Sequence, residues 1–185
     1  LDELRARLAH RRLAVFLDYD GTLTPIVRDP ADAVLSDSMR NTLARLAARW
    51  PVAVSSGRGL EDLRERVGLG DLVYAGSHGF ELAGPDFEWT AERAREFLEP
   101  LDEAEAELRQ RLERIEGHLV ERKRFAIAVH YRQVAEAEVA GMEAVVDDVL
   151  EQHPRLRKSR GKKVFQVQPR LDWDKGRAVL WVLSH

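Results

Sequence analysis

Leu13-Ala14-Val15-Phe16-Leu17-Asp18-Tyr19-Asp20-Gly21-Thr22 is the stretch whose reading decides the fold. The apolar run 13–17 is short, suited to a strand and closed by a turn-forming Asp-Gly, so it predicts a buried strand ending in a loop. In an open α/β sheet, ligands gather at the carboxyl ends of the strands. Two carboxylates two residues apart there repel each other unless something uses them. Covalent phosphoryl transfer is a natural use: one Asp attacks phosphorus, a cation offsets the charge, and the second handles the proton of the leaving oxygen. Asp-x-Asp-Gly also occurs in calcium loops. An EF-hand, however, needs a further ligand two residues on and a Glu at its twelfth position, where this chain has Thr22 and Asp29, and it enters from a helix. A plain Asp-Gly turn with an incidental upstream Asp is the other reading of the pentapeptide alone.

Composition narrows the class. The 185 residues suffice for one large domain or two small ones, and 44% hydrophobic with 33% charged residues describes an ordinary globular protein. The formal charge of −3 carries no basic footprint for nucleic acid. No apolar run approaches the roughly 18 residues of a membrane span, and no signal peptide is visible. Cysteine is absent, which excludes disulfides, thiolate metal sites and cysteine catalysis. A cytoplasmic location is the expectation. The chain starts at Leu1 rather than Met, as a sequence trimmed at its front would.

Downstream, the pattern repeats strand and helix. Leu1, Leu4 and Leu8 predict a short lead-in helix. Ser36 or Asp37 caps a helix with Met39, Leu43, Leu46 and Ala47 on its apolar face. Pro51-Val52-Ala53-Val54 is a second strand, Leu60, Leu63 and Val67 mark a helix closed by Gly68, and Leu72-Val73-Tyr74-Ala75 is a third strand. This order argues for a parallel sheet with right-handed crossovers.

The grammar changes at Gly84-Pro85. A long charged helix is expected over Ala91–Glu116, then strands His118–Arg122 and Phe125–Tyr131, a helix carrying Val139, Met142, Val146 and Val149, and strands Leu156–Ser159 and Lys162–Val167 around an Arg160-Gly161 turn. The order α-β-β-α-β-β predicts a four-stranded antiparallel sheet with two helices on one face. The expected division is 1–84 as the first part of an α/β parallel-sheet core, 85–168 as an inserted α+β domain, and 169–185 as the second, incomplete part of the core, with a helix starting near Arg177. Strand alternation puts His130 and Arg132 on one face of a strand, and Glu121 and Lys123 on one face of its hairpin partner. Those four suit a ligand with many hydroxyls and one phosphate; an exposed face laced with ion pairs is the plainer reading.

Taken in order, Asp18-Tyr19-Asp20-Gly21-Thr22-Leu23-Thr24-Pro25, Ser56-Gly57-Arg58, Gly76-Ser77-His78-Gly79, Glu121-Arg122-Lys123 with His130-Tyr131-Arg132, and Trp173-Asp174-Lys175-Gly176 carry a resemblance over nearly the whole chain. The sequence resembles the haloacid dehalogenase superfamily, with a Rossmannoid core and an inserted cap, and within it the trehalose-6-phosphate phosphatases. The resemblance implies Mg²⁺-dependent hydrolysis of trehalose 6-phosphate through a phospho-aspartate, with the sugar phosphate as the partner. Asp18 would be the nucleophile and Asp20 the acid–base group, with the Asp18 carboxylate and the Asp20 backbone carbonyl on Mg²⁺. Lys175 would pair with Asp18 and the phosphate. Thr22, Ser56, Gly57 and Arg58 would meet the substrate at its phosphate end, and Glu121, Lys123, His130 and Arg132 at the sugar. His78 is a further candidate for substrate contact, in a glycine-flanked stretch read as hinge. Taken singly, Ser56-Gly57 could cap a helix and Lys175-Gly176 could be a solvated turn.

Two departures qualify the resemblance. Gln166-Val167-Gln168-Pro169 has amides where an acidic residue is expected, which alters any sugar contact there. The family continues past the lysine helix into a strand with a Gly-Asp-Asp type motif that completes the metal site, and nothing after Lys175 supplies it. On the order of 40–60 further residues are expected, and without them the edge beside the nucleophile strand would be bare. Phosphatases of sucrose phosphate, mannosyl-phosphoglycerate or glucosylglycerol phosphate, and an inactive sugar-phosphate-binding regulatory domain, are the alternatives.

Overall fold

The computed structural model describes residues 12–27 and 29–185, so the lead-in helix expected from Leu1, Leu4 and Leu8 lies outside the described residues. By internal contact the chain divides into two compact units, the first running to Trp89 and resuming at Asp174–His185, the second comprising Thr90–Trp173. The expected boundaries at 84/85 and 168/169 each fall a few residues earlier.

The first unit is built on strands β1 (Val15–Asp18), β2 (Val52–Ser55), β3 (Val73–Gly76), β4 (Glu81–Ala83) and β5 (Glu88–Thr90), which lie side by side in that order. β1, β2 and β3 are parallel, with Asp18 beside Ser55 and Ser55 beside Ala75. Helix α1 (Asp37–Ala47) starts where the Ser36 hydroxyl accepts the Met39 N–H at 3.2 Å, a cap typically contributing about 1 kcal/mol. Helix α2 (Leu60–Val67) stops at Gly68, whose left-handed φ of 66° favours glycine. Leu43, Leu63 and Val67 pack with Val52, Val54 and Tyr74 in one apolar core. Burying each such side chain contributes roughly 1.5–3 kcal/mol, which is what holds these crossovers against the sheet.

Two strands were not expected. β4 turns back antiparallel to β3 through the single 3-10 turn Ser77–Gly79, and the Gly84–Pro85 stretch joins β4 to β5, with Gly84 N–H donating to Phe87 O at 2.8 Å. The glycine-proline pair therefore marks a hairpin turn within the first sheet. β4 carries no alternation to read, because Glu81, Leu82 and Ala83 are all buried.

The second unit contains a 3-10 turn (Ala94–Phe97), α3 (Leu98–Leu112), β6 (Leu119–Lys123), β7 (Ala126–His130), α4 (Glu136–Gln152), β8 (Leu156–Gly161) and β9 (Val164–Pro169). Its four strands form an antiparallel sheet in the order β6-β7-β9-β8. Leu101, Leu108 and Leu112 of α3 and Met142, Val146 and Val149 of α4 share a core with Val120, Ile127, Val129, Phe165 and Val167, so both helices cover one face. α3 is shorter than the expected Ala91–Glu116. Pro100 has no N–H to give and disfavours helical geometry just before it, which confines it to the first turn. The β8–β9 turn falls at Lys162-Lys163 rather than Arg160-Gly161, since Gly161 pairs directly with Val164.

Helix α5 (Lys175–Ser184) returns to the first unit. Asp174 caps it by accepting the Arg177 N–H at 2.9 Å, so the helix begins at Lys175 and not near Arg177. Among the described residues no helix is long and apolar enough to cross a membrane.

Candidate active site

Parallel pairing brings the ends of β1, β2 and β3 to one edge of the first sheet, and the loops that leave them are stitched together. Ser56 N–H donates to Ala75 O at 2.9 Å, His78 N–H to Ser56 O at 3.0 Å and Ser77 N–H to Arg58 O at 2.6 Å. The β1 loop is equally tight: Gly21, at φ 88°, lets its N–H reach Thr24 O at 2.9 Å, while the N–H groups of Leu23 and Thr24 both reach Tyr19 O. Tyr19 anchors this loop from below, fully buried with its hydroxyl donating to Ala33 O at 2.9 Å. Burial pushes the Tyr19 hydroxyl pKa up, against the opposing pull of Arg66 and Arg58.

Asp18 closes β1, and its carboxylate accepts a hydrogen bond from the Lys175 ammonium at the first turn of α5. Both side chains are about two-fifths exposed, so the pair is in contact yet open to solvent. Asp20 is held differently. Arg58 Nη2 donates to its Oδ1 at 2.7 Å and Arg58 Nε to its Oδ2 at 3.0 Å, a bidentate fork. The Ser56 hydroxyl, itself accepting the Arg58 N–H at 3.1 Å, approaches Asp20 Oδ2 at 3.4 Å. Thr22 is exposed in the same loop.

Arg58, expected from the resemblance to meet substrate, is held here by partners within the protein. Its guanidinium is engaged through all three nitrogens: Nη2 also reaches Pro30 O at 2.7 Å, and Nη1 reaches Asp62 Oδ2 at 3.3 Å. Burial opposes its charge, but the hydrogen bonds and charges of Asp20 and Asp62 more than offset this, so its pKa is raised. Gly57 likewise answers to a neighbour within the protein, since a Cβ there would stand 2.7 Å from the His78 imidazole. His78 sits over the Ser56-Gly57-Arg58 loop, its backbone in the left-handed region at φ 59°. Asp62 and the Pro30 carbonyl went unread in the sequence; the four-residue spacing of Arg58 and Asp62 at a helix start was a usable signal.

The glycines around His78, read from the sequence as hinge material, are closely packed in this structure. A Cβ on Gly76 would meet the backbone of Leu60 at 2.6 Å, and one on Gly79 would meet Ala178 Cβ at 2.6 Å and Asp174 O at 3.3 Å. Gly79 also has φ 90°, a region side chains rarely adopt. Gly79→Ala is therefore expected to destabilise the fold by roughly 2–4 kcal/mol, combining backbone strain with overpacking. Thermal or urea unfolding reads this; an unchanged midpoint would show that neither the positive φ nor the close approach at Gly79 costs stability.

In the second unit, the helix-free face of the sheet carries Glu121 and Lys123 from β6, a floor of Ala126 and Ala128, His130 from β7 and Gln166 from β9. His130 Nε2 lies 2.8 Å from Glu121 Oε2, and Lys123 Nζ lies 3.8 Å from the same oxygen. Gln166 Oε1 is buried without a hydrogen-bond partner. Arg132 does not share the strand: β7 ends at His130, and Arg132 sits in the following turn with Nη2 donating to Lys162 O at 3.4 Å. Among the described residues no group of three or more His, Asp or Glu stands ready to hold a metal. Asp18 and the Asp20 carbonyl are oxygen donors of the hard kind Mg²⁺ takes, so they fit it in kind while leaving most of its coordination to other oxygens.

A family model described as Trehalose-phosphatase matches residues 16–185. The trehalose-phosphate phosphatase of Mycobacterium tuberculosis (strain H37Rv) is 47% identical over 179 residues, covering 96% of this chain and 46% of that protein. The probable trehalose-phosphate phosphatase 9 of Oryza sativa subsp. japonica is 41% identical over 196 residues, covering 99% of this chain and 52% of that protein. The chain thus spans about half the length of the curated relatives it matches. Among solved structures, the C-terminal domain of the trehalose-6-phosphate phosphatase of C. albicans superposes with a TM-score of 0.82 at 27% identity, covering 95% of this chain and 62% of that one.

Proposed function

Because the chain belongs to the trehalose-phosphatase family, we propose that the protein hydrolyses trehalose 6-phosphate to trehalose and phosphate, with Asp18 as nucleophile. The observation that carries this is the Asp18–Lys175 pair at the carboxyl edge of a parallel sheet, a nucleophile and a cation brought together from opposite ends of the chain. Asp18 Oδ bonds to phosphorus as the bond from phosphorus to the sugar oxygen breaks, and Asp20 gives that oxygen its proton. Asp20 then takes a proton from water, whose oxygen attacks phosphorus and releases Asp18. Lys175 offsets the charge as two anions meet, and Ser56 and Thr22 are the hydroxyl donors at the phosphate end. The Asp18 carboxylate and the Asp20 backbone carbonyl would hold Mg²⁺, which when bound would supply charge neutralisation at the phosphoryl oxygens.

Sugar recognition is assigned to the helix-free sheet face of the second unit. Glu121, Lys123 and His130 form one polar cluster there, whose carboxylate, ammonium and imidazole suit a ligand with many hydroxyls. Arg132 is the remaining candidate, from the adjoining turn. Binding energy from the non-reacting part of a substrate positions the reacting part. In the intact protein, Glu121→Ala should therefore lower kcat/KM for trehalose 6-phosphate by roughly 10²-fold, with a far smaller loss for p-nitrophenyl phosphate. Equal losses would make the cluster structural. Wild-type preference for sucrose phosphate, mannosyl-phosphoglycerate or glucosylglycerol phosphate would reassign the substrate, and no turnover of any would leave a regulatory binding domain.

A further inference from the structure

We propose that Arg58 is a positioning residue that aims the Asp20 carboxylate, and that it makes no contact with the phosphate. The inference rests on the reading of Asp20 as the acid–base group and adds to it the device that fixes where its proton is delivered.

The geometry separates holder from held. The Arg58 side chain is 8% exposed while that of Asp20 is 42% exposed, so the fork is buried and the carboxylate faces solvent. A carboxylate offers about four lone-pair sites. The fork occupies one on each oxygen, from Nη2 to Oδ1 and from Nε to Oδ2, and the Ser56 hydroxyl approaches Oδ2 at 3.4 Å; this fixes the carboxylate plane and leaves a site on Oδ1 for a proton in transfer. Arg58 is itself fixed from several directions. Pro30 O takes Nη2, Asp62 takes Nη1, the Tyr19 ring lies beneath the guanidinium at 5.3 Å, and the Arg58 carbonyl accepts from Ser77. Asp62 is in turn held by Arg66 Nε at 2.6 Å, and Arg66 Nη1 donates to Ala31 O at 3.0 Å. Asp20, Arg58, Asp62 and Arg66 thus alternate in sign from the β1 loop to α2.

Such a fork cannot be replaced by a point charge. Lysine keeps the cation but offers no planar pair of donors, so it cannot set the carboxylate plane. Asp20 follows a strand end and precedes Gly21, so without the fork its side chain would sample rotamers of which few point at the leaving oxygen. General acid catalysis contributes typically 10²–10⁴-fold, and a displacement of about 1 Å can cost on the order of 10²-fold.

A leaving-group series tests this in the intact protein, using p-nitrophenyl, phenyl, benzyl and methyl phosphates, none of which carries a sugar. Good leaving groups depart without a proton; alkoxides need one. Asp20→Asn should steepen the decline of kcat/KM with leaving-group basicity. Arg58→Gln should steepen it comparably, losing about 10²-fold at the alkyl end and at least tenfold less at the nitrophenyl end. Arg58→Lys should fall between Arg58→Gln and wild type. The slope is measured within one variant and does not depend on its active fraction. If Arg58→Gln compromises folding, Asp62→Asn, which loosens the fork without touching Asp20, should still steepen the series modestly. A uniform loss across the series in the Arg58 and Asp62 variants, with Asp20→Asn steep, would overturn the role of Arg58. A flat Asp20→Asn series would overturn the reading of Asp20 on which it rests.

Discussion

Asp18→Asn in the intact protein is expected to lose at least ~10⁴-fold in turnover of trehalose 6-phosphate while melting at a temperature close to wild type. The amide is nearly isosteric with the carboxylate, and the side chain is about two-fifths exposed, so the substitution creates no cavity and buries no unpaired charge. In the proposed mechanism it removes the attacking oxygen anion outright. A steady-state assay beside a thermal melt separates the two effects. Retention of a tenth of wild-type turnover would show that Asp18 does not attack.

Lys175→Gln is expected to be the next most damaging substitution, lowering kcat by roughly 10³-fold, the upper end of what one preorganised charge-stabilising donor contributes. Glutamine reaches toward Asp18 but carries no charge, so the approach of an anionic ester to an anionic nucleophile goes uncompensated. In the proposed mechanism the ammonium acts through Asp18 and the phosphoryl group together. The Asp18→Asn, Lys175→Gln double variant should therefore be scarcely worse than Asp18→Asn alone. Additive losses in the double variant would place Lys175 outside the reacting unit.

What could be read from the chain followed from how local each signal is. The strand ending at Asp18, the Ser56 turn after β2 and the two α-β-β modules rest on periodicity and turn chemistry within a dozen residues, and the structure contains them. β4 escaped because a three-residue strand buried on both faces has no alternation, and its Glu81 is buried with the Ser77 hydroxyl donating to it at 2.7 Å. The early start assigned to α3 ignored Pro100. Alternation grouped Glu121 and Lys123 correctly and extended wrongly to Arg132, because a period of two holds only while the strand lasts and β7 stops at His130. The partners of Arg58 were the least legible part of the site. A guanidinium beside a phosphate-type loop invites an anionic ligand; of its partners only Asp62, four residues on, was within reach of a local signal, while Asp20 and Pro30 are 38 and 28 residues away and only the folded loops reveal them.

The contact between Asp18 and Lys175 joins residues 157 positions apart. On the ribosome, the nucleophile strand and the β2 and β3 loops emerge long before their cation is translated. The whole of the second unit must be made first. A flexible connection of that length would carry a closure entropy that grows as the logarithm of its length, but most of the intervening chain folds into a unit of its own, with local hairpins and helix pairs that collapse early. A nascent chain paused anywhere before α5 would consequently present the β1–β3 sheet edge with Asp18 still lacking its lysine partner.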